Sequence, residues 1–213
     1  MKYKGIIFDL DGVLCSTDRF HFQAWQETAR QARAPFDETI NQRLRGVSRM
    51  ESLKIILEGS PLTFTREEKE RMAREKNERY RHLLQQMTPA DMPDGVRRAL
   101  ESLRAAGLKL AVGSSSKNAH FILERLDAEQ YFDAVCDGTQ IVHSKPHPEV
   151  FLKAAEMLGL PPAACLVVED APAGLQAARA AGMDCAGVGD APWPFAPTYR
   201  LPDVTALPAA LPG

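Results

Sequence analysis

The chain has 213 residues, 45% of them hydrophobic and 25% charged, with a formal net charge of -2; this suits one full globular domain carrying a smaller insertion. A charge so near neutral gives no case for nucleic acid or an anionic membrane surface as partner, and no apolar run approaches the ~18 residues of a spanning helix. The start, Met1-Lys2-Tyr3-Lys4-Gly5, runs straight into an apolar segment without a signal-peptide core, so a cytoplasmic protein with no membrane partner is expected. Cys15, Cys136, Cys165 and Cys185 lack CxxC spacing and imply neither disulfides nor zinc.

In chain order, Ile6-Ile7-Phe8 is an apolar, β-branched and aromatic run, as expected of a strand buried on both faces of a parallel sheet. It delivers Asp9 and Asp11 to a turn at Gly12, where both carboxylates can enter one crevice above the sheet edge. Two anions so close suit a hard divalent cation held by oxygens, magnesium above all when phosphate is also bound. A strand-end turn with solvated aspartates is the plainer reading of Asp-x-Asp-Gly alone.

Helical periodicity follows. Phe22, Trp25, Ala29 and Ala32 predict an amphipathic helix from Asp18 to about Ala32, with further helices at Asp37–Leu44 and Arg49–Leu57. From Thr65 to Gln86 acids and bases interleave, the pattern of a solvated helix with i,i+4 pairs. After that, strand and helix alternate: helix Asp94–Ala106 closed by Gly107, strand Leu108–Val112, helix Lys117–Leu126, strand Ala134–Cys136, helix His147–Leu158 ended by Gly159, strand Cys165–Val168, helix Ala171–Ala181 ended by Gly182, and strand Cys185–Val188. This argues a doubly wound, parallel-sheet α/β core. The predicted core comprises 1–17 and 88–213, and 18–87 form an inserted helical cap over the crevice. Pro194, Pro197, Pro202 and Pro208 make the tail mostly irregular, with a short strand at Asp203–Leu207.

The other strand ends support the first. Gly113-Ser114-Ser115-Ser116 is a hydroxyl-rich turn before the helix at Lys117, where amides and the helix dipole favour phosphate, although such clusters are also ordinary N-caps. Lys145-Pro146 can offer an ammonium to that phosphate or to a carboxylate nucleophile, and Glu169-Asp170 close an apolar strand with two more oxygen donors.

Phe8-Asp9-Leu10-Asp11-Gly12-Val13, Ser114, Lys145-Pro146 and Glu169-Asp170 resemble the four motifs of the haloacid dehalogenase superfamily of phosphotransferases, over nearly the whole chain. Thr17, His21-Phe22, Ala24-Trp25, Gly46-Val47-Ser48-Arg49 with Ser52, Lys76-Asn77 and Ser116-Lys117-Asn118 are similar to the cap and substrate loops of its hexose phosphate mutases. The resemblance implies a monomeric enzyme interconverting β-glucose 1-phosphate and glucose 6-phosphate through a bound bisphosphate, with a magnesium-dependent sugar phosphatase as the alternative. It further implies Asp9 as nucleophile and Asp11 as acid/base. Magnesium is expected on Asp9, the Asp11 carbonyl, Glu169 and Asp170, and substrate or phosphate on Thr17, His21, Trp25, Gly46, Val47, Ser48, Arg49, Ser52, Lys76, Ser114, Ser115, Ser116, Lys117, Asn118 and Lys145.

For His21 the plain alternative is a satisfied polar residue on the first cap helix; the resemblance places it near Asp11 and Thr17. His82, His120, His143 and His147 show no ligand spacing and are read as surface or capping residues. The chain departs from the family pattern at Cys15-Ser16, at the extra hydroxyl of Ser115, at Pro172 in a first helical turn, and in a tail lacking the terminal helix expected of such enzymes.

Overall fold

Ile6, Ile7 and Phe8 are wholly inaccessible to solvent, and the strand they form, β1 (Gly5–Phe8), lies at the centre of a six-stranded sheet. The computed structural model describes residues 2–44, 47–190 and 193–211. The remaining strands are β2 (Lys109–Gly113), β3 (Ala134–Cys136), β4 (Cys165–Glu169), β5 (Asp184–Val188) and β6 (Tyr199–Leu201), all parallel, in the order β3-β2-β1-β4-β5-β6. Phe8 stands level with Val112 on one side and Val168 on the other. The register therefore puts Asp9 and Glu169 side by side as their strands leave the sheet.

The chain divides into two compact units, Met1–Ser16 with Met87–Gly213, and Thr17–Gln86, one residue before the division expected at 18–87. The first is the α/β unit. Its helices are α5 (Asp94–Ala105), α6 (Ala119–Arg125), α7 (Glu149–Leu158), α8 (Pro172–Ala180) and a short α9 (Leu207–Ala210). Gly107, Gly159 and Gly182 follow three of them with φ of +83°, +68° and +71°, the left-handed geometry that ends a helix at little cost only for glycine. One core cluster joins Ile7, Ala111 and Val167 of the sheet to Val150, Phe151 and Ala154 of α7 and Leu175 and Ala178 of α8.

The second unit is helical: α1 (Asp18–Gln31), α2 (Glu38–Gln42), α3 (Arg49–Leu57) and α4 (Arg66–Leu84). Side chains start three of these. Asp37 accepts from the Ile40 amide, Ser48 from that of Glu51, and Thr65 forms a capping box with Glu68. The unit has its own core, in which Trp25, Ala29 and Ala32 meet Leu53, Ile56 and Met72. Phe22 is not in the fully buried stripe. That stripe runs through Phe20, Ala24, Trp25, Thr28 and Ala29, and Phe22 instead packs on Phe36 with ring centroids 5.2 Å apart.

Three expectations are corrected, the first being the tail without a terminal helix, since the short α9 (Leu207–Ala210) lies near its end. The tail strand is Tyr199–Leu201 rather than Asp203–Leu207; the latter stretch begins with the Asp203 side chain accepting from the Thr205 amide and makes a 3-10 turn that leads into α9. The helix expected from Lys117 starts at Ala119, because the Ser114 and Ser116 hydroxyls accept from the Ser116 and Asn118 amides and hold the chain in side-chain turns. Among the described residues no helix is long and apolar enough to cross a membrane.

Phe151 joins core to crevice. It is fully buried, a Cβ on Gly113 would approach its ring to 2.9 Å, and the Lys145 ammonium lies 4.6 Å from its centroid. Phe151→Ala should lower the free energy of unfolding by about 3–5 kcal/mol, read from urea denaturation.

Candidate active site

At the carboxyl ends of β1 and β4 the Lys145 ammonium lies 2.5 Å from Asp9 Oδ1 and 2.6 Å from Glu169 Oε1. Lys145, Glu169 and Asp9 are 3%, 1% and 8% exposed. Burial alone would lower the lysine pKa, but the two carboxylates outweigh it and hold the ammonium above its usual range. Burial pushes Glu169 above the ordinary carboxylate value, with Lys145 opposing and Asp9 adding to the rise. The second oxygen of Glu169 accepts from the Ala171 amide at 2.9 Å.

Asp9, Glu169 and Asp170 bring carboxylate oxygens within 4.8 Å of one another, so these three acids can hold a metal ion. The donor set fits a hard cation: all three ligands are oxygens, and with Lys145 included the four side chains carry a net negative charge that a dication offsets. Space for the acids comes from two glycines. A Cβ at Gly12 would fall on the Asp170 carboxylate, and one at Gly174 on that of Glu169. Gly12, at φ +86°, also lets the chain leave β1 in a compact loop in which Leu14 and Cys15 donate to the Leu10 carbonyl. Asp11 sits in this loop, bridged to Cys15; its expected ligand is a main-chain carbonyl, a different kind of donor from the carboxylate cluster.

The turn after β2 lies one strand over. Ser114 is buried, and its amide donates to the Cys136 carbonyl. Ser116 and Lys117 are more open and Asn118 is buried. The Ser114 and Ser116 hydroxyls already occupy the Ser116 and Asn118 amides at the approach to α6. Among the described residues the Ser115 hydroxyl is the buried side-chain polar atom with no hydrogen-bond partner, which fits a ligand oxygen as its missing partner. A Cβ on Gly138 would strike the Ser115 carbonyl, so that glycine lets the loop after β3 close on the turn.

In the helical unit, Thr17, His21, Trp25 and Lys76 form one cluster. Tyr80 donates to the Thr17 hydroxyl at 2.9 Å. Lys76 Nζ lies 3.0 Å from His21 Nδ1; an ammonium only donates, so Nδ1 accepts and the proton of the neutral imidazole is on Nε2. The same ammonium is 4.5 Å and 4.4 Å from the Trp25 and Tyr80 ring centroids. Burial, then the charges of Lys76 and Arg49, hold the His21 pKa well below its usual value. Arg49, half-buried at the start of α3, is itself lowered by burial. Ser48 caps α3 and Ser52 is buried within it, with Val47 just before. Gly46 lies outside the described residues.

The family of haloacid dehalogenase-like hydrolases matches residues 3–182 of this chain. The chain belongs to that family. It is 44% identical over 188 residues to β-phosphoglucomutase of Bacillus subtilis, covering 87% of this chain and 83% of that one. It is 34% identical over 184 residues to phosphorylated carbohydrates phosphatase of Thermotoga maritima, covering 85% and 82%. A crystal structure of β-phosphoglucomutase from Clostridium difficile matches with a TM-score of 0.84 at 39% identity, over 88% of this chain and 85% of that one. This chain is an enzyme of the haloacid dehalogenase superfamily with its parallel sheet and inserted helical cap unit.

Several neighbours of the site carry no motif. Tyr80 serves Thr17, His21 and Lys76 at once, and its place one turn after Lys76 on a helix was the signal available. Gly174, inside a helical pattern where glycine is unfavourable, was another. The histidines outside the cluster are peripheral: His82, His120, His143 and His147 are exposed, and His147 Nδ1 accepts from the Glu149 amide.

Glu149, the first residue of α7, holds the loop that carries Lys145: its two oxygens accept from the Val142 amide at 3.0 Å and the His143 amide at 2.8 Å. These bonds lower its pKa to about 2 from an ordinary 4.5. Its contribution to stability is thus complete above about pH 4.5 and lost as pH falls through about 2. Glu149→Gln should unfold at a lower urea midpoint than the parent at pH 7, with the two midpoints converging near pH 2.

Proposed function

We propose that the chain is a β-phosphoglucomutase, interconverting β-glucose 1-phosphate and glucose 6-phosphate through an aspartyl phosphate and a bound glucose 1,6-bisphosphate. The observation that carries this reading is the cluster in the helical unit, where Lys76 and Arg49 accompany a His21 kept neutral. A hydrolase of one phosphate needs a single anion site beside its nucleophile; an enzyme that holds a bisphosphate needs a second. The 44% identity to the Bacillus subtilis β-phosphoglucomutase supports the same choice.

Asp9 is the nucleophile: as the aspartyl phosphate it gives its phosphoryl group to the free hydroxyl of the sugar monophosphate, and from the resulting bisphosphate its carboxylate takes back the phosphoryl group at the other end. Asp11 removes the proton from the attacking hydroxyl and returns it to the departing oxygen. Lys145 and the Ser114–Asn118 turn offset the charge on the non-bridging oxygens. Asp9, Glu169 and Asp170, with the Asp11 carbonyl, would hold magnesium, which supplies a fixed double positive charge to the reacting phosphate when bound. Arg49 grips the phosphate that is not reacting, its planar fork meeting two oxygens, with Ser48, Ser52, Val47 and Thr17 shaping the sugar site beside Trp25.

Asp9→Asn should abolish turnover in a coupled assay with β-glucose 1-phosphate and bisphosphate primer, and retained turnover would remove Asp9 from its role. Asp11→Asn should slow transfer by ~10²–10⁴-fold while phosphate still binds. Arg49→Ala should sharply reduce mutase flux yet spare hydrolysis of acetyl phosphate, and Arg49→Lys should recover little. Equal loss of both activities would make Arg49 structural, and no loss of either would favour a general sugar-phosphate phosphatase.

A further inference from the structure

Gly174 is the third residue of α8. Unlike Gly12, it has no left-handed backbone that demands glycine, and glycine inside a helix is disfavoured relative to alanine. Neither turn geometry nor helix preference accounts for it.

Its surroundings do. A Cβ at this position would stand 2.6 Å from Cγ of Glu169 and nearer still to the carboxyl carbon and Oε1. The end of a glutamate can ordinarily swing away, but this one is pinned. Oε1 takes a hydrogen bond from Lys145 and Oε2 one from the Ala171 amide, and the residue is 1% exposed. An added methyl group would therefore break one of those bonds or push α8 off the end of β4.

We propose that Gly174 is a positioning residue: the absence of a side chain at this point of α8 sets where the Glu169 carboxylate stands, and through it the geometry in which Lys145 and a divalent cation are held. The cation half of this rests on the reading that Asp9, Glu169 and Asp170 form a metal site.

Four proteins test it: the parent, Gly174→Ala, Glu169→Ala and the double variant. Each is measured for thermal midpoint in EDTA and for magnesium affinity by calorimetric titration of the metal-free protein. With Glu169 present, Gly174→Ala should lower the midpoint and weaken magnesium binding by ~10–100-fold, the range found for residues that orient metal ligands. In the Glu169→Ala background the same change should leave the midpoint unchanged or raised, since only the helix preference remains, and alter affinity by no more than about twofold. Wild-type magnesium affinity in Gly174→Ala, or equal losses in both backgrounds, would overturn the proposal. If Gly174→Ala alone does not fold, folding of the double variant supports the collision with Glu169, and failure of both overturns it. A parent that takes up no magnesium refutes the metal reading, and the midpoints in EDTA then decide the steric claim by themselves.

Discussion

A single buried ammonium shared by two carboxylates is the interaction around which the α/β unit is arranged. Lys145, Asp9 and Glu169 lie where water is excluded, and removing one partner of such a group typically costs about 3–5 kcal/mol because the remaining charges are stranded. Each has to be delivered by a different part of the chain. Equal register of β1 and β4 supplies the two acids, the loop before α7 supplies the lysine, and the Phe151 ring lies beneath its ammonium. Satisfying the lysine still leaves carboxylate charge over, which a divalent cation on the three acids can offset.

The helical unit treats a buried cation in another way. Lys76 is 2% exposed and is set against two aromatic faces and an imidazole nitrogen. Ring quadrupoles and a neutral acceptor stabilise an ammonium without cancelling its charge. Burial first, and then the charges of Lys76 and Arg49, keep His21 neutral. One unit sets its buried lysine against acids, and the other sets its buried lysine against two rings and an imidazole.

Much of this was readable in the residues, and the reasons for the remainder are physical. Strands were visible because a buried parallel strand is apolar on both faces, as in Ile6-Ile7-Phe8, and helix ends were visible at Gly107, Gly159 and Gly182 because left-handed backbone favours glycine. The acids at strand ends followed directly from those strands. What failed was partly non-local. Tyr199–Leu201 pairs with β5 only because the chain returns there, and nothing in a proline-rich tail announces it. The late start of α6 depends on two serines competing for amides, a choice that sequence spacing does not settle. Tyr80 and Gly174 matter through what packs beside them, so their weight appears only once α4 and α8 are in place.

The margins of the sheet have a consequence for how copies of this protein can meet. β3 and β6, the outermost strands, are three residues each, and Pro197 and Pro202 lie close to either end of β6. Proline carries no amide hydrogen to donate, and so short a strand offers few free main-chain groups for another chain to zip onto. Fibre-like growth by adding strand to strand is thereby blunted at both rims, and any self-association of the α/β unit has to use side-chain surfaces instead.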